Sequence, residues 1–324
     1  MPSTARRSAL AALAALCVGL PGAVAANPAP VPAWLQTHVG VGEGKIASVV
    51  LHRARDLYQK KRAQGSVRNA CYFAMDATRP STGQDGKAGR RFYIICEDSR
   101  TFRAISSGYG NGRKLHRANF SNGRECAQNF SNAEGSKLTA GGAYVTAETR
   151  TSFKGVIHED GAKTPFYRTF ILFDGEGETQ NARERAIGGH RAAFVRWQCR
   201  FEDPENPHAD DEGYVPFGRL IDYTSGRSNG CTTWSEDHSQ EIISLVEGNP
   251  TTLYIYPESG DIDAVARTVS KKATLAGSGL YWNTACLEKI GAPQFWPKQR
   301  LQPIINTWRQ SLPKQPPRVL PICD

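Results

Sequence analysis

The sequence predicts a mainly β, α+β fold, with one β-rich region flanked by helical segments. Two observations carry this. Between residues 69 and 258, short apolar and aromatic runs alternate with clusters of Gly, Asn, Ser and Asp, the pattern of strands joined by turns. On either side of that region, apolar residues recur at helical spacing instead. No internal repeat interrupts the pattern.

At the start, Arg6 and Arg7 precede an apolar run over 9–20, and small residues Ala23, Val24, Ala25 and Ala26 follow. This is the pattern of an export signal over 1–26. The run is shorter than the roughly 20 residues a membrane span needs, and nothing later approaches that length. The expectation is a periplasmic protein with no membrane anchor once the signal is removed. Cys17 follows bulky Leu16 rather than a small residue, which argues against a lipid anchor.

Residues 27–68 form a linker and an N-terminal helix. A Pro-rich stretch covers 27–32, and over 43–61 Ile46, Val49, Val50, Ala54 and Leu57 share one helical face with Lys and Arg opposite. In the β-rich region, strands are predicted at 71–75, 91–96, 102–106, 143–146, 166–173, 193–200, 220–223 and 251–256. A helix is predicted at 236–246, with Ile242, Ile243 and Leu245 inward. A C-terminal extension over 259–324 carries helices predicted at 262–269 and 303–312. Its Trp282, Trp296 and Trp308 are expected to pack it onto the β domain.

Forty Lys and Arg against 31 Asp and Glu give a formal charge of +9. The densest basic stretch, 53–68, is the solvated face of the first helix, without the interleaved aromatics of a nucleic-acid surface. A nucleic-acid partner is therefore not expected. Mild positive charge suits an anionic polymer without identifying one. Removing Cys17 from the cysteines leaves an odd set: Cys71, Cys96, Cys126, Cys199, Cys231, Cys286 and Cys323. In an oxidising compartment that predicts three disulfides and one unpaired thiol, with the pairing open. No C-x-x-C spacing supports a redox or structural zinc site.

The informative segment is Asp222-Tyr-Thr-Ser-Gly-Arg-Ser-Asn-Gly-Cys231-Thr-Thr-Trp-Ser-Glu-Asp237. A predicted strand runs through it into a predicted helix, which places the Cys231 thiol at a strand-to-helix turn. There, backbone N–H groups and the helix dipole would favour a thiolate. Gly230 leaves room for substrate beside it. The same residues match G-x-S-x-G, but only His238 follows Ser228 and the alternating strand and helix pattern of a serine hydrolase is missing. A thiol needs a base. Of His38, His52, His116, His158, His190, His208 and His238, His190 stands out, preceded by Ala186, Ile187, Gly188 and Gly189 and followed by a predicted strand.

Four further elements stand in order: Ser131-Asn132; Ser136-Lys-Leu-Thr139-Ala-Gly141; Asn181-Ala-Arg-Glu-Arg185-Ala-Ile187-Gly-Gly-His190; and Arg227-Ser228-Asn229-Gly230-Cys231. Over 70–256 this resembles the YkuD-type L,D-transpeptidases, in particular a proteobacterial branch. The resemblance implies a YkuD-like β-sandwich or barrel at 69–258 and a peptidoglycan L,D-transpeptidase. Cys231 would be the nucleophile, His190 the base, and the backbone N–H groups of Gly230 and Cys231 the oxyanion hole. Asn229, Ser228 and Arg227 would line the pocket, with Arg227 placed to meet a substrate carboxylate. No cofactor or metal is implied. The partners would be donor and acceptor stem peptides, with carbapenem-type inhibitors acylating the same thiol. Joining L-Ala to meso-diaminopimelate is favoured over joining two diaminopimelates. Carboxypeptidase, endopeptidase or D-amino-acid exchange at the same site, and a non-catalytic wall-binding module, are the alternatives. The sequence departs from the wider family at Asn229, where a second histidine is usual, and at Thr233, where Asn or Arg is common. The interval from His190 to Cys231 is also longer than usual, and 198–217 is expected to be an inserted loop beside the site.

Overall fold

The computed structural model describes residues 30–159, 162–192, 199–202, 211–218, 227–312 and 322–323; for 152–168, 199–202, 215–218, 227 and 322–323 the description is of the backbone alone. The chain opens with α1 (Ala33–Gln36) and α2 (Ser48–Ala63). Strands β1 (Cys71–Asp76), β2 (Arg90–Cys96) and β3 (Thr101–Ser106) follow, then the short β4 (Tyr109–Gly110), β5 (Lys114–Leu115), β6 (Ala118–Asn119) and β7 (Asn129–Phe130). Next come β8 (Gly142–Glu159), β9 (Ala162–Gly175), β10 (Gly188–Arg191), β11 (Cys199–Glu202), β12 (Tyr214–Gly218), β13 (Arg227–Ser228) and β14 (Thr232–Trp234). The order ends with α3 (Glu236–Val246), β15 (Thr252–Tyr256), α4 (Ser259–Ser270), α5 (Thr284–Ile290), β16 (Gln294–Phe295), α6 (Lys298–Ser311) and β17 (Ile322–Cys323).

The mainly β expectation holds. One 11-stranded sheet organises the molecule, and it branches at β8. One edge of β8 carries β9, β10 and β14; the other carries β15, β1, β2 and β3, with β17, β11 and β12 further along. Just past β3, Gly108 bridges Thr233 of β14, so the two ends of an eight-strand path meet and the sheet curls almost into a barrel.

Alternation along the central strands explains how both faces are buried. Phe73 and Met75 of β1, Phe92 and Ile94 of β2, and Leu253 and Ile255 of β15 point into the curl, where they pack with Ile171, Phe173 and Trp234. Tyr72, Ala74, Tyr93, Ile95, Tyr254 and Tyr256 point outward and are covered by Val50, Leu51, Ala54 and Tyr58 of α2. Helix α2, expected from residue 43, begins at Ser48, because Val39 and Ile46 pair as an isolated bridge before it.

In the C-terminal segment, β16 runs parallel to β7 and Cys286 of α5 is bonded to Cys126. Trp282 and Trp296 are buried, while Trp308 lies half-buried under the Arg113 guanidinium, 4.4 Å from its ring centre. Helix α6 starts at Lys298, five residues before the expected start, and accommodates Pro303 in its interior. Helix α5 was not foreseen. The second disulfide, Cys71–Cys96, spans directly opposed residues of β1 and β2. Cys231 is in neither, and the backbone register sets Cys199 opposite Cys323. Predicted strand residues 193–198 and 220–223 lie outside the described residues, as do 203–210 of the expected inserted loop. Its flanks, β11 and β12, form an antiparallel pair at the sheet edge.

Candidate active site

Strand β10 lies between β9 and β14, antiparallel to the first and parallel to the second. Its register sets Gly189 beside Thr232 and His190 beside Thr233. Side chains alternate along a strand, so His190 and Thr233 share one face, while Gly189, Thr232 and Trp234 share the other, and Cys231 immediately precedes β14. On the inner face the fit is tight: a Cβ on Gly189 would stand 2.1 Å from Cη2 of the fully buried Trp234. The two residues singled out in the sequence thus lie on β10 and at the entry to its neighbour β14.

His190 is 6% exposed and stacks on Phe170, its register partner on β9, with ring centres 5.5 Å apart. Its Nδ1 lies 2.6 Å from the Arg191 carbonyl oxygen. A carbonyl can only accept, so Nδ1 carries the proton, and a neutral ring then has its lone pair on Nε2. This carbonyl is one of the groups that hold His190, and the sequence did not disclose it.

Cys231 is half-buried in the bend between β13 and β14. One expectation is corrected here. The thiol is not at a helix N-terminus, because β14 intervenes and α3 starts only at Glu236, capped by Ser235. Pairing of Thr232–Trp234 with β10 uses the residues that would otherwise lead into the helix, and the dipole of α3 therefore does not act at Sγ.

The bend is fixed from within. Ser228 Oγ accepts the Gly230 N–H at 3.1 Å and donates to the Cys231 carbonyl at 2.5 Å. Ser228 therefore ties the turn together, and the Gly230 amide expected in an oxyanion hole is occupied by that bond. Gly230 has φ of +106°, which only glycine adopts without strain, and a Cβ there would lie 3.1 Å from the Leu138 carbonyl oxygen. Asn229 is exposed at the tip. The backbone of Arg227 pairs with Tyr109, and its side chain lies outside the description.

Three neighbours were not assigned a role from sequence. The Cys231 thiol donates to the Ala186 carbonyl at 3.6 Å. Arg185 donates through Nη2 to the Leu138 carbonyl at 2.7 Å. Buried Tyr144 donates to the Ala140 carbonyl at 2.8 Å, and its phenol is pushed up chiefly by burial. Arg185 and Cys231 are both close enough to Tyr144 to act on it electrostatically. Arg185 and Ala186 lie inside a motif recognised in the sequence, which was the available signal.

The other motif residues support this wall. Thr139 Oγ1 accepts the Gly110 amide at 2.8 Å. Asn181 donates to the Asn132 carbonyl at 2.8 Å. Ser131 Oγ donates to the Trp296 carbonyl at 2.6 Å, and Asn132 Oδ1 accepts the Lys298 amide at 3.2 Å. Of the remaining histidines, His38 stacks on Phe102 and His238 caps against Ser235, while His208 lies outside the described residues.

Residues 43–256 match the family model of the L,D-transpeptidase catalytic domain, YkuD_2. The chain belongs to this family. The match spans every strand from β1 to β15, and so includes both β10 and β14 of the candidate site. Neither a curated protein nor a solved structure matches the chain. L,D-transpeptidase domains belong to cell-wall enzymes whose substrate is peptidoglycan, and no helix among the described residues is long and apolar enough to cross a membrane.

Proposed function

We propose that this L,D-transpeptidase domain transfers acyl groups between peptidoglycan stem peptides through a thioester on Cys231. The observation that supports it most is the parallel register of β10 and β14, which sets His190 beside Thr233, two residues after Cys231, with the imidazole hydrogen-bonded to the Arg191 carbonyl. His190 takes the thiol proton, and the thiolate attacks the donor carbonyl carbon. The C–N bond then breaks, and the imidazolium gives its proton to the leaving amine. An acceptor amine, deprotonated by His190, attacks the thioester and releases the thiolate. Oxyanion stabilisation falls to backbone amides at the Cys231 bend, with the Gly230 amide contributing only if its bond to Ser228 opens.

Family membership and the sequence together favour a periplasmic enzyme joining L-Ala to meso-diaminopimelate. The hold of Ser131 and Asn132 on Trp296 and Lys298 supports 69–258 as the catalytic domain and 259–324 as an extension packed on it.

The test is mass spectrometry of muropeptides after purified sacculi are incubated with the mature protein or its Cys231→Ala variant. New dimers made only by the wild type, with L-Ala as acyl donor, are expected. Dimers joined through two diaminopimelates would reassign the linkage, and shortened stems alone would make the enzyme a peptidase. Unchanged sacculi with both proteins would sink the catalytic reading in favour of a wall-binding module.

A further inference from the structure

Arg185 is half-buried beside the nucleophile, yet it has no carboxylate partner among the described residues. Its neighbour Arg183 is bound by Glu148 and Asp174, and Glu184 pairs with Lys298, so the nearby acidic side chains are engaged elsewhere. One guanidinium N–H is spent on the Leu138 carbonyl, and the rest of the fork meets no acceptor among the described residues. That same carbonyl faces Gly230, and the next residue along, Ala186, receives the Cys231 thiol. A largely desolvated cation without a counter-ion is costly, and a planar fork of donors is suited to a carboxylate. Tyr144 and Leu138 are both buried, which leaves the Cys231 side as the approach for an anion.

We propose that Arg185 binds a carboxylate of the donor stem peptide and thereby sets which carbonyl reaches Cys231. This rests on Cys231 as the nucleophile. It assigns to Arg185 the role that the sequence had suggested for Arg227.

Two alkylating reagents separate the possibilities, because iodoacetate carries a carboxylate and iodoacetamide does not. Rates of Cys231 modification by each are measured by peptide mass spectrometry on the full chain, its Arg185→Gln variant and its Arg185→Lys variant. The iodoacetate-to-iodoacetamide rate ratio is expected to fall by about tenfold in Arg185→Gln, the loss of one charge-assisted pair, and by less in Arg185→Lys. Effects on thiol ionisation or on the Leu138 contact change both rates alike and cancel in the ratio. In the wild type the ratio should also fall as salt rises, a measurement that stands even if a variant does not fold. A ratio unmoved by both substitution and salt, with Cys231 still reactive, would overturn the Arg185 role and leave the nucleophile in place. Failure of both reagents to modify Cys231 in the folded wild type would overturn both, and failure of iodoacetate alone would overturn the Arg185 role.

Discussion

Ala186, whose carbonyl accepts the Cys231 thiol, holds φ of +50°, a left-handed conformation that costs an L-residue roughly 1–2 kcal/mol. This conformation accompanies the turn of a main-chain oxygen onto the Cys231 thiol. Replacement by glycine keeps the carbonyl and removes the strain, at an added unfolded-chain entropy of about 0.4–1 kcal/mol. Ala186→Gly should therefore change stability by no more than about 1 kcal/mol and leave the iodoacetamide rate of Cys231 nearly unaltered. Ala186→Val places a β-branched residue where its backbone is an outlier. It should lose roughly 2 kcal/mol in denaturant titration and alter the Cys231 rate. Equal behaviour of the two variants would mean that the left-handed turn has no bearing on the thiol.

Gly189 is required for a different reason, close approach. Its missing side chain admits Trp234, which also packs edge-on against Phe92 with ring centres 5.2 Å apart. Gly189→Ala must displace either that ring or β10, at a cost of about 1–3 kcal/mol. Because β10 carries His190, muropeptide dimer formation should drop further than thermal stability alone accounts for. Activity that tracks only the folded fraction would show that the displacement stays within the core.

Cys231 and His190 were legible as candidates because each sits in a short motif within the span that matches the family model. What surrounds them was not. The contacts to Cys231, His190 and Arg185 are made by the carbonyls of Ala186, Arg191 and Leu138, and a carbonyl leaves no mark on residue identity. The helix predicted at 236–246 forms as α3, but strand β14 between it and Cys231 was not foreseen, since three residues cannot display a period and their pairing with β10 is a long-range event. Likewise β8 and β9 run far beyond the predicted 143–146 and 166–173, because their paired extensions lack the apolar alternation that marks a half-buried strand. Strands β1, β2 and β15 were easy to find, being almost wholly buried and, apart from Asp76, Arg90, Arg91 and Thr252 at their ends, apolar or aromatic.

His238, in the first turn of α3, supplies a pH test. Burial, then the nearby Arg103, push its imidazole below the usual value, against weaker opposition from Glu241 and Asp237. The unfolded chain therefore takes up the proton first as pH falls. The contribution of His238 to stability is complete above about pH 6.5 and is lost as pH drops through the lowered folded value. Denaturant titrations from pH 7.5 to 5 should show declining stability, with a shallower decline in His238→Gln. His38, shifted in the same direction by burial and Lys45, adds to the slope. Superimposable slopes for wild type and His238→Gln would assign the whole effect elsewhere.

The two disulfides should differ in worth. Cys71–Cys96 closes 25 residues and joins strands already paired by main-chain hydrogen bonds, whereas Cys126–Cys286 closes 160 and ties α5 to the loop before β7. Loop-closure entropy assigns about 3.5 kcal/mol to the first and about 5 to the second. The ladder between β1 and β2 persists without its bridge, while the Cys126 link anchors the segment whose Trp296 and Lys298 meet the Ser131-Asn132 motif. Paired alanine substitutions at 126 and 286 should therefore lower the melting temperature more than those at 71 and 96. Hydrogen exchange should rise first in α5 and α6, then in 131–138, the stretch that supplies the Leu138 carbonyl to Arg185. If the 71–96 pair proves the costlier loss, the extension is held by its apolar contacts through Leu301 and Ile305 rather than by the covalent link.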